Sequence, residues 1–205
     1  MPTQADLDAA RTYTSIMEEA KFRALSINRL TGPIALSAPL AREFCFLQLR
    51  MLCELIALGC LVAHGDIEET KSPQLQKSYN AGDIVKLLEK LHPNFYPSPR
   101  KPVFSPGHVH LEDYDGEYLT KDELLTLYGR CGDALHRGSL RNLLNRKSQP
   151  PADFQDIQRW GQKILNLLSF HIISRVGGNF HLVAALEAAQ VGGNVLVSVA
   201  EAPEA

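Results

Sequence analysis

The strongly apolar segment from Phe44 to Ala63 constrains the fold of this chain more than any other feature. Three polar residues interrupt it: Gln48, Arg50 and Glu54. A charge at mid-bilayer costs about 2.5–3.5 kcal/mol, and the uninterrupted apolar run, 55–63, is too short to span a membrane. We therefore predict the core helix of a soluble protein, beginning near Ser37 and ending near Gly65.

Arg50 and Glu54 are four residues apart in this predicted helix, so they lie on one face and can form an ion pair. One interpretation is a purely structural pair. The other is polar support for an active site. A single pair does not decide between them.

The overall composition indicates an ordinary globular protein whose net charge does not by itself indicate a polyanionic partner. The chain has 205 residues, of which 45% are hydrophobic and 21% charged, with a formal net charge of −2. The length fits one domain or a domain with an appendage. Because the net charge is close to zero, any surface for a polyanion must be local.

The four cysteines, at positions 45, 53, 60 and 131, form no C-x-x-C pair. They are typical of small buried hydrophobic residues in a reducing compartment. The N-terminal residues, 1–8, are polar and acidic, unlike a targeting sequence. We predict a cytoplasmic protein with no membrane association.

Helical patterns cover most of the chain. We predict helices over 5–30, 72–91 and 153–173, in addition to the core helix and to a helix that begins near Lys121 and has an apolar stripe from Leu124 to Leu135. The second of these is interrupted at 78–83, where Asn80 or Asp83 serves as a new N-cap. A capping box formed by Thr120 and Glu123 begins the helix at 121. The proline-rich segment 96–102 is predicted to be a loop.

Two short β elements complete the predicted fold. The runs 109–112 and 117–119 flank an Asp-Gly turn, and the runs 180–185 and 194–200 suggest a C-terminal hairpin. The segment 182–189 is compatible with strand or helix. The expected fold class is mainly α: a bundle of four to five helices with small hairpin additions. We place a helical domain at 1–176, with a hairpin inserted near 109–119, and a C-terminal hairpin and tail at 177–205.

The segment Arg130-Cys131-Gly132-Asp133-Ala134-Leu135-His136 carries the clearest chemistry. An arginine can hold a phosphate and an imidazole can move a proton, which suffices to cut RNA without a metal. On a regular helix the two residues lie about 120° apart, off the apolar side. They could act together if the helix loosens at a glycine, if they meet a ligand across a cleft, or if a dimer juxtaposes two copies.

The residues after this motif are basic. Four cations follow it: Arg137, Arg141, Arg146 and Lys147. Asp133 is the only acid between Cys131 and Pro151. Such a cluster suits a phosphate backbone. The alternative is a solvated helix face with Asp133 and Arg137 paired.

The Arg-x5-His spacing from Arg130 to His136 resembles the motif of the HEPN superfamily, the higher-eukaryote and prokaryote nucleotide-binding helical domains. The preceding residues, 124–128, and the basic turn after the motif resemble that family's motif helix. Residues 49–55 are similar to its central helix. The resemblance covers roughly 36–170. The residue after the arginine departs from the family pattern, because Cys131 stands where a small polar residue is common.

The resemblance implies a helical homodimer with two motifs facing one cleft, and metal-independent RNA cleavage. In the cleavage that the resemblance implies, His136 acts as general base or acid. Arg130 holds the phosphate and stabilises charge in the transition state. Asp133, three residues before His136, either orients the imidazole or forms a surface pair. No cofactor is implied.

Three hypotheses about function follow. The first is a ribonuclease, as a toxin or defence effector held in check by an antitoxin or other protein. The second is an inactive module that binds nucleotide, RNA or protein, and the third is a helical dimerisation scaffold. A separate minor alternative is a metal site at His108 and His110, which share one side of a predicted strand.

Overall fold

A computed structural model describes residues 1–30, 36–65, 67–105, 108–136, 154–175 and 180–201. In these residues the helices pack against a five-stranded antiparallel sheet. The fold class is therefore α+β, and the predicted helical bundle with small hairpin additions is wrong. The sheet is a full structural layer, because strands far apart in sequence pair with one another.

Helices α1 (Gln4–Leu30) and α2 (Ala38–Ala63) form the centre of the helical layer. The predicted core helix is confirmed, with Ser37 as its N-cap. Gly59 lets the two helices approach closely, since a Cβ there would lie 2.9 Å from the Tyr13 ring. In the described chain α2 is the one helix long and apolar enough to cross a membrane, but 61% of its most apolar window is buried, consistent with a soluble protein.

Two further helices follow α2. A 3-10 turn, Glu68–Lys71, leads to the short α3 (Pro73–Gln76) and then to α4 (Ala81–Leu91). The predicted interruption is confirmed, and Asn80 is the new N-cap because its side chain accepts from the backbone N–H groups of residues 82 and 83.

The last two helices lie on either side of a segment outside the described residues. Helix α5 (Lys121–Leu135) packs against α2 and α4, and α6 (Phe154–Leu168) packs against α1, α2 and the sheet. The predicted capping box at the start of α5 is confirmed, with Thr120 and Glu123 each accepting from the other's backbone N–H.

The sheet contains β1 (Ser98–Ser105), β2 (His108–Asp113), β3 (Phe170–Ser174), β4 (Phe180–Ala188) and β5 (Asn194–Glu201), in the order β2-β1-β3-β4-β5. The C-terminal hairpin is confirmed as β4 and β5, and 182–188 is strand. Because β3 pairs with β4 along five residues, this hairpin is continuous with the rest of the sheet. It is not an addition to a bundle.

One face of the sheet packs on the helices. Buried residues alternate along β3 and β4, as expected for strands with one covered side: His171, Ile173, Leu182, Ala184 and Leu186. The three valines of β5 also lie on this side, against α1: Val195, Val197 and Val199. The hydrophobic core therefore lies between α1, α2 and α6 and this face.

The proline-rich segment predicted to be a loop is strand β1, which pairs with β2. The predicted hairpin over 109–119 is also wrong in part. Residues 117–119 are not a strand, and β2 pairs instead with β1, the strand that precedes it in the chain. β3 pairs with β1 only at Ser98 and Pro99, so the rest of β1 has one edge without a β3 partner. Prolines are tolerated in strands with such an edge.

The helix predicted over 153–173 is too long. Helix α6 ends at Leu168, and Phe170–Ser174 forms β3. The apolar residues of this segment fit a helical stripe or an alternating strand equally well, and β-branched isoleucines at 172 and 173 favour the strand. Hydrogen-bonded pairing with β1 and β4 makes this segment a strand rather than the end of a helix.

A buried tyrosine–histidine pair joins α1 to β3. The Tyr13 hydroxyl lies 2.6 Å from Nε2 of His171, whose Nδ1 lies 3.1 Å from the carbonyl oxygen of Leu168. Burial lowers the pKa of His171 to about 4, so the ring is neutral at physiological pH. The geometry fits a ring that donates through Nδ1 and accepts the tyrosine proton at Nε2.

Candidate active site

Helix α5 presents the candidate site. Leu124, Leu127 and Cys131 are buried against the core, so the opposite face is turned to solvent. The helix remains regular to Leu135 and ends there. His136 follows as the C-cap with extended backbone angles, and its N–H donates to the carbonyl of Gly132 at 3.0 Å.

One side of α5 carries Arg130, which is paired with α6. Its Nη2 donates to Oδ2 of Asp156 at 2.5 Å, and its guanidinium carbon lies 5.8 Å from the centre of the Trp160 ring. The Arg130 side chain is 47% exposed. A carboxylate and an aromatic ring of α6 therefore hold this arginine at the surface.

On its other side, α5 contributes Tyr128 to a polar cluster with two residues of α2. We call it the Arg50 cluster: Arg50, Glu54 and Tyr128. The predicted pair is confirmed, with Nε of Arg50 at 3.2 Å from Oε1 of Glu54. Nη2 of Arg50 donates to the Tyr128 hydroxyl at 2.8 Å, and that hydroxyl donates to Glu54 at 3.1 Å. The guanidinium also stacks on the Tyr128 ring, with 4.4 Å from its carbon to the ring centre.

Gly132, in the last turn of α5, lies against the Arg50 guanidinium. A Cβ built at this position would lie 3.4 Å from Nη1 of Arg50, which is van der Waals contact. Any larger side chain would occupy the space that the guanidinium uses. The glycine therefore allows a cation from α2 to lie directly against the last turn of α5.

Helical spacing assigns His136, the C-cap residue, to the same side of α5 as Gly132. Tyr128, Gly132 and His136 follow each other at intervals of four residues, and side chains at that interval are neighbours about 5–6 Å apart. Arg130 lies about 120° away around the helix from His136. The arginine on the His136 side of a single chain is thus Arg50.

Asp133 and His136 are both exposed. Within the described part of the chain, Asp133 forms no hydrogen bond or ion pair with another side chain. The structure thus gives Asp133 no defined contact with the imidazole, and its role in orienting His136 stays a prediction.

This side of α5 has a cation held against its last turn and, by helical spacing, an exposed imidazole one turn further on. Among the described residues, no acceptor takes a hydrogen bond from Nη1 of Arg50, whereas Nε and Nη2 are used. Burial, and next the Glu54 carboxylate, raise the pKa of Tyr128, so the phenol stays protonated. Burial raises the pKa of Cys131 to about 12, so its sulfur is a thiol rather than a nucleophilic thiolate.

Several predicted residues cannot be placed. Arg137, Arg141, Arg146 and Lys147 lie outside the described residues, so their role in RNA binding stays a prediction. His110 is exposed on the edge strand β2, and the structure describes only the backbone of His108. In the described ranges, no three histidine, cysteine or acidic side chains come together as metal ligands.

Sequence reasoning missed two contacts at this site. Tyr128 packs partly against the hydrophobic core, and its hydroxyl also completes the Arg50 cluster. Asp156, the partner of Arg130, is 26 residues away in another helix. The i,i+4 spacing found the first two members of the cluster, but no local pattern identifies a partner on a different helix.

No family model, curated protein or solved structure matches this chain. The site is therefore interpreted from its own geometry and from the motif spacing in the sequence.

Proposed function

We propose that this protein is a metal-independent endoribonuclease of the HEPN type in which His136 transfers a proton. One observation carries the proposal: His136 is exposed at the end of α5, one turn beyond the glycine against which the Arg50 guanidinium lies. Cleavage of RNA without a metal needs an imidazole that reaches the substrate and a cation beside the phosphate.

The proposed reaction is an internal displacement at phosphorus. The 2′-oxygen of a ribose forms a bond to the adjacent phosphorus while the bond from phosphorus to the 5′-oxygen breaks. The 2′-hydroxyl loses its proton and the departing 5′-oxygen gains one, leaving a 2′,3′-cyclic phosphate. His136 serves as the base or the acid, because a neutral imidazole can accept a proton and an imidazolium can give one up.

The resemblance assigns the phosphate to Arg130. In one chain, that guanidinium is paired with Asp156 on the opposite side of α5 from His136. Arg130 can therefore join His136 at one phosphate only from a second copy, in a homodimer whose motif helices face each other. This is the arrangement that the resemblance implies, and Arg130 stays a predicted catalytic residue on that basis.

The remaining parts of the proposal come from the sequence. The basic segment after α5 supplies the predicted contacts to the RNA backbone. The four cysteines are free and buried, as expected in a reducing cytoplasm, where we place the activity. A protein that cleaves RNA there needs control, and we propose that an antitoxin or another protein partner provides it.

A second candidate is a catalytically inactive module that binds RNA, nucleotide or protein. The Arg130–Asp156 pair favours it, because a carboxylate already occupies the arginine that the motif assigns to the phosphate. On this alternative, the protein would bind RNA without cleaving it.

An RNA cleavage assay in the presence of EDTA separates the two candidates. We expect the wild-type protein to produce cyclic-phosphate ends, and His136→Ala to reduce the rate by about 10²-fold or more with unchanged circular dichroism, because His136 is exposed. Wild-type protein that binds RNA but leaves it intact would favour the binding module. Unchanged cleavage by His136→Ala would remove His136 from the proposal.

A further inference from the structure

We infer that Arg50 is the phosphate-binding residue of the chain that carries His136, and that one chain therefore contains both the cation and the imidazole. The inference rests on the proposed function for the identity of the ligand, an RNA phosphodiester. It goes beyond the motif, because Arg50 lies on α2 and 86 positions before His136 in the sequence.

The contacts of the Arg50 guanidinium support this assignment. Nε forms an ion pair with Glu54 at 3.2 Å, and Nη2 donates a hydrogen bond to Tyr128 at 2.8 Å. Nη1 has no acceptor among the described residues and lies against Gly132. A guanidinium has five N–H donors, and those on Nη1 remain to bind a phosphate oxygen beside the end of α5.

Glu54 and Tyr128 hold the guanidinium in one orientation. One hydrogen bond, one ion pair and the stacked Tyr128 ring restrict a side chain that would otherwise be flexible. A donor that is already oriented gives up less entropy when it binds a ligand. The cluster is only partly enclosed, since 27% of the Arg50 side chain is exposed, so a ligand can reach it.

Glu54 also weakens the site, because its carboxylate neutralises the arginine. This gives the inference a distinctive consequence: Glu54→Gln should strengthen the binding of an anion, whereas Arg50→Gln should weaken it. A cluster that served only to hold α2 against α5 would give no gain in anion affinity from either change.

The test measures binding of a fluorescent 2′-O-methyl RNA oligonucleotide, which lacks the attacking hydroxyl, by anisotropy at low salt. We expect Arg50→Gln to bind roughly tenfold more weakly and Glu54→Gln to bind a few-fold more tightly. Arg23→Gln is the matched control. Arg23 also pairs with a glutamate four residues away and is 24% exposed, but it lies on α1.

A double variant, Arg50→Gln with Glu54→Gln, keeps the test valid if the single arginine variant unfolds, since it leaves no uncompensated carboxylate. It should also bind more weakly than wild type. Equal affinities of wild type and this folded double variant would overturn the inference, as would wild type that does not bind the probe.

The two proposals fail in different ways. Binding through Arg50 without any cleavage of unmodified RNA would support the inference and remove the ribonuclease. Cleavage by wild type, together with wild-type binding by the Arg50 variants, would keep the ribonuclease and overturn the inference.

Discussion

The two sides of α5 each hold an arginine and a carboxylate, but they differ in what lies beside them. On the α6 side, Arg130 is half exposed and pairs with Asp156 under Trp160. On the α2 side, Arg50 is held by Glu54 and Tyr128 and lies against Gly132, one turn from His136. Both guanidinium groups are held in place, but helical spacing puts only the second on the His136 side of α5.

This difference shows that two residues of one sequence motif need not share a side of the helix. A spacing of six residues in an α-helix places two side chains about 120° apart, so Arg130 and His136 do not share a side. A spacing of four residues does place side chains together, and it links His136 to Gly132. Because Gly132 has no side chain, the Arg50 guanidinium of α2 can lie against α5 at this position.

Acid should lower the stability of the fold through the buried His171, and this effect must be separated from any effect on the α5 surface. His171 has an ordinary pKa of 6.5 when unfolded and about 4 when folded, because it is buried. Its contribution to stability is complete above pH 6.5 and is lost as the pH falls towards 4, by about 3 kcal/mol in total.

His171→Gln, which keeps a side-chain partner for Tyr13 but does not titrate, should flatten this part of the stability profile. Urea unfolding at a series of pH values measures it. If wild type and His171→Gln lose stability in parallel between pH 6.5 and 4, acid acts elsewhere. Activity losses in that range could then be assigned to the α5 surface directly.

Removing each arginine should destabilise the protein unequally. Arg50→Gln leaves Glu54, 13% exposed, without its cation, and we expect a loss of roughly 2 kcal/mol, below the range for a fully buried pair. Arg130→Gln breaks a pair whose arginine is half exposed, and the loss should stay under about 1 kcal/mol.

Chemical denaturation of the two variants gives this comparison. Adding Glu54→Gln to Arg50→Gln should restore most of the lost stability, because the unpaired charge disappears. Similar losses for Arg50→Gln and Arg130→Gln would mean that the two sides of α5 are energetically equivalent, against our description.

Two glycines of α5 offer a matched pair of substitutions. Gly132→Leu should displace the Arg50 guanidinium and weaken binding of the 2′-O-methyl RNA roughly tenfold, by about 1.4 kcal/mol. Gly129→Leu should leave binding unchanged, since nothing lies within 4 Å of a Cβ at that position. Leucine should also stabilise the exposed helix at 129 by several tenths of a kcal/mol. Equal affinities of the two variants would contradict the role given to Gly132.

The sequence predicted elements whose determinants are local. The apolar run of α2, the Asn80 cap and the Thr120–Glu123 capping box each lie within a few residues, and all are present in the structure. The sheet was missed because its pairings are distant. Ser98 pairs with Ile172, and no pattern around either residue encodes the other. The prolines of β1 even argued against a strand.

The candidate site shows the same division. The Arg50–Glu54 pair follows from helical spacing, and it is present. The contact of that pair with Tyr128, and of Arg130 with Asp156, depends on where α5 lies relative to α2 and α6. Helical spacing predicts the side of a helix on which a residue lies, but not the helix that it meets.

A double-mutant cycle on RNA affinity tests the central claim most directly. Affinities for the 2′-O-methyl RNA are measured for Arg50→Gln, Arg130→Gln, His136→Ala and the two doubles that contain His136→Ala. Residues that contact one ligand group are coupled, whereas distant residues are additive within about 0.3–0.5 kcal/mol. We predict a coupling above about 0.5 kcal/mol between Arg50 and His136, and a smaller one between Arg130 and His136. Additivity of Arg50 with His136, together with strong coupling of Arg130 to His136, would contradict the account.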